Sequence, residues 1–175
     1  LVAATWVVTA AHCVWDDTRG TVTPYWDQLR ISTSSGFSGL NTASSPVRGI
    51  AVNPNYSGWR TGSDIALIKV DDVFGGKFSP LASADEINAY SDSFSSVIAS
   101  GFGRTSNDGA TSLIALEISL TLLSPGTCSN SLPSELQLLS QTMLCANGSS
   151  IAAVCKGDSG GPLFLNTSTG RKLAG

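Results

Sequence analysis

A serine in a glycine-rich stretch has the surroundings in this sequence that best suit chemistry. Residues 155–162 read Cys-Lys-Gly-Asp-Ser-Gly-Gly-Pro, so Ser159 stands between an aspartate and two glycines. Glycine adopts backbone conformations closed to other residues and lets other atoms approach closely. Such a turn can present a hydroxyl nucleophile beside backbone N–H groups that stabilise an oxyanion, as acyl transfer requires. The alternative is an ordinary surface turn, and this stretch alone does not decide between the two.

A candidate base and a candidate orienting acid precede the serine. His12 is the only histidine, and imidazole can accept and return a proton near neutral pH, although a lone histidine is more often structural. Asp64 precedes the apolar run 65–70, where a carboxylate among so few polar atoms needs a partner. It is either a turn residue or an aspartate that orients an imidazole. His12, Asp64 and Ser159 thus supply a base, an orienting acid and a nucleophile.

The composition is typical of a globular all-β protein. The chain has 175 residues, 42% hydrophobic and 13% charged, which is enough to bury a substantial core. The net charge of −3 argues against nucleic acid or an anionic membrane as partner. No apolar run reaches the roughly 20 residues of a membrane span. The sequence opens and closes on strand-like residues, so we expect a fragment cut at both ends.

Short strands are predicted throughout the chain. The clearest is 116–122, where Leu and Ile alternate with polar residues and indicate a half-buried strand, whereas 65–70 is apolar on both faces and predicts a strand buried on both sides. Ser124-Pro125 can open a short helix that carries Cys128. Residues 34–46 and 71–89 are predicted to be irregular, the latter connecting two halves. The remaining predicted strands are 5–9, 28–32, 47–52, 97–100, 143–146, 162–165 and 171–174.

Four cysteines and three acceptor triplets bear on the question of secretion. Two disulfides among Cys13, Cys128, Cys145 and Cys155 have three possible connectivities. Asn-x-Ser triplets begin at Asn55, Asn147 and Asn166. They are glycosylation acceptors if the chain is secreted, or chance occurrences in a Ser/Thr-rich sequence.

Three blocks resemble the signature motifs of the trypsin/chymotrypsin family of serine endopeptidases. They are Thr-Ala-Ala-His-Cys at 9–13, Asp-Ile-Ala-Leu at 64–67 and Gly-Asp-Ser-Gly-Gly-Pro at 157–162, in the family's order. Trp-Val-Val at 6–8 and Gly-Phe-Gly at 101–103 match as well. The resemblance spans the chain and implies an all-β fold of two six-stranded antiparallel Greek-key barrels, incomplete at both termini. Residues 1–84 would form the first, with His12 and Asp64, and residues 85–175 the second, with Ser159.

The resemblance also implies a role for each site residue. Ser159 would attack the peptide carbonyl, His12 would take and return the proton, and Asp64 would fix the imidazole tautomer. The backbone N–H groups of Gly157 and Ser159 would form the oxyanion hole. Asp158 would pair with a new N-terminal ammonium freed by zymogen cleavage and so shape the substrate pocket.

Substrate preference is expected from the residues before the serine. By the resemblance, Ala153 lies at the base of the pocket for the substrate side chain N-terminal to the cut. An alanine there argues against pairing with Arg or Lys and, with Val154, predicts an apolar pocket. Calcium-binding members carry paired glutamates in a loop between the histidine and aspartate blocks, and residues 33–46 contain no acidic residue. We therefore expect no metal site and no cofactor.

The disulfide pattern follows from the same resemblance. Cys128 would pair with Cys145, while the partners of Cys13 and Cys155 would lie outside this fragment. The positions of another family disulfide fall near Val97 and Leu165, both apolar. This reduced set of disulfides is similar to that of invertebrate digestive chymotrypsins and their collagenolytic relatives.

The sequence therefore predicts a secreted, monomeric serine endopeptidase, with the digestive lumen as one setting. It would cut proteins and peptides after apolar or aromatic residues, as chymotrypsin-like members do, through an acyl-enzyme, and would be bound by protein protease inhibitors. The alternative is a catalytically silent homologue acting as a binding or cofactor module; such homologues usually lose a triad residue, and all three are present. An α/β-hydrolase esterase would place its histidine last and its serine in Gly-x-Ser-x-Gly, unlike this chain.

Overall fold

Strands dominate the structure, a computed structural model that describes residues 1–33, 44–59, 62–72, 74–75, 78–131, 142–149 and 153–175. The helices are α1 (Ala84–Asp92) and α2 (Pro125–Ser131), with 3₁₀ turns at Ala11–Cys13 and Trp26–Gln28. The all-β prediction is confirmed. The strands are β1 (Trp6–Thr9), β2 (Trp15–Asp16), β3 (Thr21–Val22), β4 (Arg30–Ser32), β5 (Ser44–Pro46), β6 (Gly49–Val52), β7 (Ala66–Lys69), β8 (Ser96–Gly101), β9 (Leu116–Leu123), β10 (Cys145–Asn147), β11 (Leu163–Thr167) and β12 (Gly170–Leu173).

The chain divides into two compact units. The N-terminal unit comprises residues 1–79 and 113–115, and the C-terminal unit comprises 80–112 and 116–175. The N-terminal unit contains the sheet β1-β7-β6 and the two-stranded pairs β2-β3 and β4-β5. Its core comprises Ala11, Val14, Val47, Ala66, Ile68, Val70 and Phe74.

Strand β7 buries one face rather than two. Ala66 and Ile68 are buried, whereas Ile65, just before the strand, is 46% exposed and Leu67 is 39% exposed. Successive side chains of a strand point to opposite faces of its sheet, and the described core residues cover only one of them. The prediction that 65–70 is buried on both sides is therefore wrong.

The C-terminal unit contains a five-stranded antiparallel sheet of order β10-β9-β8-β11-β12. Its core comprises Val97, Ala99, Leu120, Leu122 and Leu165. The alternation predicted for β9 is confirmed from Ile118 onward, because Leu120 and Leu122 are buried while Ser119 is exposed. Leu116, at the start of the strand, is 41% exposed. Pairing among the described residues thus gives open sheets of three and five strands, and closure into six-stranded barrels stays a prediction.

Two segments predicted to be irregular contain regular structure. Helix α1 occupies the end of 71–89 and continues to Asp92. A reciprocal capping box begins it: Glu86 N–H donates to Ser83 Oγ at 3.2 Å, and Ser83 N–H donates to Glu86 Oε2 at 2.9 Å. This Ser-x-x-Glu signal was readable in the sequence. Likewise Ser44–Pro46 pairs with β4, while residues 34–43 of that predicted loop lie outside the described residues.

Helix α2 carries Cys128, as predicted, and a disulfide joins Cys128 to Cys145 at the start of β10. The predicted pairing of these two cysteines is confirmed. Cys13 and Cys155 form no disulfide within the described residues, and partners outside residues 1–175 stay a prediction. Within the described ranges, no helix is long and apolar enough to cross a membrane.

Candidate active site

A histidine and an aspartate distant in sequence meet in the N-terminal unit. His12 lies in the 3₁₀ turn that follows β1, and Asp64 stands two residues before β7. Because β1 and β7 are antiparallel neighbours with Thr9 opposite Ala66, the end of one strand and the start of the other place both residues together. His12 Nδ1 lies 2.7 Å from Asp64 Oδ2, and the His12 backbone N–H donates to Asp64 Oδ1 at 2.9 Å.

This double contact determines which ring nitrogen can act as a base. An ionised carboxylate only accepts hydrogen bonds, so Nδ1 of His12 carries the hydrogen and Nε2 of the neutral ring is the acceptor. The side chains of His12 and Asp64 are 34% and 20% exposed, so the pair is partly shielded from water. The predicted need of Asp64 for a partner is met by the chain's only histidine.

The backbone before Asp64 adopts a conformation that the sequence did not indicate. Gly62 and Ser63 have φ of 74° and 59°, two successive residues in the left-handed region. The Ile65 N–H then donates to the Ser63 carbonyl at 2.8 Å, closing a three-residue turn with Asp64 at its centre. This turn fixes the direction in which the Asp64 side chain leaves the backbone.

An aromatic pair lies in the same unit as the His12–Asp64 pair, and the charge of Asp64 acts on its tyrosine. The Tyr56 and Trp15 rings meet edge to face, with centroids 6.2 Å apart. The Tyr56 hydroxyl oxygen is buried, and among the described residues it has no hydrogen-bond partner. Burial, followed by the charges of Asp17 and Asp64, raises the pKa of Tyr56. Sequence reasoning missed Tyr56, because a tyrosine after an Asn-Pro-Asn turn carries no signal for this position.

In the C-terminal unit, two successive turns carry Ser159. The Asp158 N–H donates to the Cys155 carbonyl at 3.0 Å, and the Gly161 N–H donates to the Asp158 carbonyl at 2.9 Å. The third residue of each turn is a glycine with positive φ, Gly157 at 100° and Gly160 at 78°, a conformation that other residues rarely adopt. Ser159 is the second residue of the second turn and is exposed.

The carboxylate of Asp158 is held by backbone amides. Oδ1 accepts from the Gly103 N–H at 2.8 Å and Oδ2 from the Cys155 N–H at 2.9 Å. A Cβ on Gly103 would lie 2.5 Å from Oδ1, so the Gly-Phe-Gly segment needs glycine there. Two hydrogen bonds leave acceptor capacity on this carboxylate.

A cavity of about 620 Å³ lies in the C-terminal unit and is lined by Asp158, Ala153 and Val154, among others. The Val154 side chain at this cavity is 52% exposed. The predicted pocket residues therefore line one cavity together with the predicted activation residue.

The Gly157 N–H donates to no acceptor in the part of the chain that the structure describes, unlike the N–H groups of Asp158 and Gly161 on either side. It belongs to the turn that leads into Ser159. A backbone donor without an internal acceptor can bind an oxyanion.

The all-β fold, the carboxylate-bound histidine and the serine in its glycine turn together define a trypsin-like serine protease scaffold. The trypsin family pattern matches residues 1–175, and the chain belongs to that family. It is similar to serine protease SSP1 of Scolopendra subspinipes (31% identity, 95% of this chain, 57% of the relative). It is also similar to trypsin-1 of Gadus morhua (31%, 95% and 64%) and chymotrypsin-like elastase family member 1 of Canis lupus familiaris (30%, 95% and 63%). The chain spans about three fifths of the length of these curated relatives.

Proposed function

We propose that the full-length protein is a serine endopeptidase whose catalytic residues are Ser159, His12 and Asp64. The observation that carries the proposal is the double hydrogen bond of Asp64 to His12. Ser159 Oγ would attack the scissile carbonyl while His12 Nε2 takes its proton, and Asp64 would stabilise the imidazolium. His12 Nε2 then gives the proton to the leaving amine. Water next attacks the acyl-enzyme carbonyl while His12 Nε2 takes its proton, and the acid leaves as His12 returns that proton to Ser159 Oγ.

The backbone N–H groups of Gly157 and Ser159 would bind the oxyanion. The Gly157 N–H, without an acceptor among the described residues, supports this assignment. A single donor of this kind typically contributes roughly 10²–10³ in rate. The positive φ of Gly157 orients its backbone N–H group, so the contribution of this donor to the rate depends on glycine at this position.

Asp158 would accept a new N-terminal ammonium after zymogen cleavage. Asp158 lines the cavity, and its carboxylate has acceptor capacity beyond its two backbone donors. An ammonium bound there would neutralise the charge and hold the Cys155–Asp158 turn in place. Cleavage of a precursor would thereby control the pocket.

Ala153 and Val154 would give a preference for apolar substrate side chains before the cut bond. Both line the cavity and neither carries charge. A peptide-library cleavage profile tests this preference, and dominant cutting after Arg or Lys would refute it. The physiological setting we propose is extracellular, with proteins, peptides and protein protease inhibitors as partners of a monomeric enzyme.

A fluorophosphonate probe tests the enzyme proposal directly. Activated full-length protein should be labelled at Ser159, with the modified peptide identified by mass spectrometry. Ser159→Ala should abolish labelling, whereas changing another exposed serine, such as Ser129 in α2, should preserve it. Folded, activated protein without label would instead favour the alternative of a silent homologue that acts as a binding module.

A further inference from the structure

The three Asn-x-Ser triplets occupy different kinds of structure. Asn147 ends strand β10, and Asn166 lies within β11, where its carbonyl accepts the Tyr90 hydroxyl and its backbone pairs with Arg171. Asn55 lies in neither a strand nor a helix. It occupies the turn that follows β6, and acceptor triplets that carry glycans are typical of surface loops.

The turn around Asn55 closes without using the Asn55 side chain. The Asn53 side-chain oxygen accepts from the Asn55 N–H at 2.9 Å, and the Asn53 carbonyl accepts from the Tyr56 N–H at 2.9 Å. Pro54, at the second position, has the φ that such a turn requires. Asn55 itself is exposed, so a bulky group on its carboxamide removes none of the bonds that hold the turn.

We propose that Asn55 carries an N-linked glycan in the secreted protein. In the transfer, Asn55 Nδ2 forms a bond to C1 of an oligosaccharide carried on a lipid pyrophosphate. The bond from C1 to the pyrophosphate oxygen breaks, the lipid pyrophosphate leaves, and the Nδ2 proton passes to base. No oxidation or reduction is involved. Ser57 supplies the hydroxyl at the third position of the acceptor triplet.

This glycan would stand next to the His12 half of the candidate active site. Tyr56, the next residue, meets Trp15 edge to face, and Trp15 follows His12 by three residues. A large hydrated group at this position hinders the approach of a folded protein more than that of a short peptide. This consequence rests on the proposed enzymatic function, whereas the glycan itself rests only on the proposed secretion.

Secretion of the full-length protein from a eukaryotic cell line tests the modification. Release by peptide-N-glycosidase in H₂¹⁸O should leave ¹⁸O-labelled aspartate at position 55. The enzyme treatment should also increase the mobility of the protein on a gel. Asn55→Gln and Ser57→Ala should each remove this gel shift, whereas Ser57→Thr, Asn147→Gln and Asn166→Gln should each keep it. Secreted protein without ¹⁸O label at position 55 would overturn the proposal. None of these measurements requires enzymatic activity, so the result does not depend on the proposed catalytic function.

The consequence for access is measured separately on active enzyme. Asn55→Gln should raise the rate of cleavage of a folded protein substrate and leave the rate on a short peptide unchanged. An equal change in both rates, or no change in either, would refute shielding while leaving the mass-spectrometric result intact. Inactive wild-type enzyme would instead count against the proposed function.

Discussion

Asp64 binds His12 at two points, through the ring Nδ1 at 2.7 Å and the backbone N–H at 2.9 Å. Asp64→Asn would place an amide donor where the imidazole now donates, favouring the tautomer that carries its hydrogen on Nε2. The base would then be lost. We expect kcat to fall about 10⁴-fold, a magnitude that comes from Ser-His-Asp enzymes of this family and not from this structure.

The control for that variant is Asp71→Asn. Asp71 lies in the same unit and forms an exposed ion pair with Arg48, so this change also removes one carboxylate. It should leave kcat unchanged. The kcat of Asp64→Asn is measured on folded protein whose concentration of active sites is determined by titration. A value within tenfold of wild type would contradict the catalytic role of Asp64.

Ser63 should tolerate only residues that accept left-handed backbone. A non-glycine residue in that region costs roughly 1–2 kcal/mol, and a β-branched residue fits it worst. Ser63→Gly should therefore keep activity, whereas Ser63→Val should lower both the urea midpoint and kcat/KM. Because the Ile65 N–H bond to Ser63 aims Asp64, we also expect Ser63→Val to shift the pH dependence of kcat/KM. Lost stability with an unchanged pH profile would show that the turn supports the fold alone.

Gly103→Ala should displace the Asp158 carboxylate. The new Cβ would lie 2.5 Å from Oδ1, far inside van der Waals contact, and the neighbour is held by two backbone amides. We expect lower stability and weaker fluorophosphonate labelling, because the Asp158 backbone is part of both turns that carry Ser159. Gly126→Ala is the matched control: apart from its chain neighbours and the backbone of its own helix, no described atom lies within 4 Å of its Cβ position. Alanine in helix α2 should stabilise by up to about 1 kcal/mol.

Val97 and Leu165 are cross-strand partners on β8 and β11, and both are fully buried. Opposite residues of antiparallel strands have Cα atoms about 4.5–5.5 Å apart, a separation at which disulfides form. The double variant V97C/L165C should therefore cross-link on oxidation. After oxidation, the double variant should show the same number of thiols in denaturant as wild type and two more when reduced, whereas V97C alone should show one more than wild type. Absence of the cross-link would contradict the register of β8 against β11.

Sequence patterns predicted the features that depend on neighbours in the chain. The alternation in 116–122 predicted β9, and Ser124-Pro125 predicted α2. The exposure of Ile65 and Leu67 escaped prediction, because an apolar run does not reveal whether the second face of its sheet is covered. The family resemblance supplied the proposed roles of His12 and Asp64, but their paired contacts depend on the neighbouring strands β1 and β7. The closeness of Tyr56 to Asp64 is likewise a tertiary relationship without a local signal.

Acid should weaken the C-terminal unit through Glu86, which receives hydrogen bonds from Lys172 Nζ and the Ser83 N–H. The Lys172 bond, followed by the Ser83 backbone, lowers the pKa of Glu86 below its ordinary value of 4.5. A carboxyl whose pKa is lower folded than unfolded contributes stability above the unfolded pKa and loses it as pH falls through the folded pKa. Glu86→Gln should therefore have a lower urea midpoint than wild type at pH 7, and the gap should narrow as the pH falls below the ordinary value of 4.5 towards the lowered folded pKa. In a Lys172→Met background the gap at pH 7 should shrink, because the largest cause of the shift is gone. A gap that is the same size at pH 3 and pH 7 would mean that Glu86 acts through packing and capping geometry rather than through its charge.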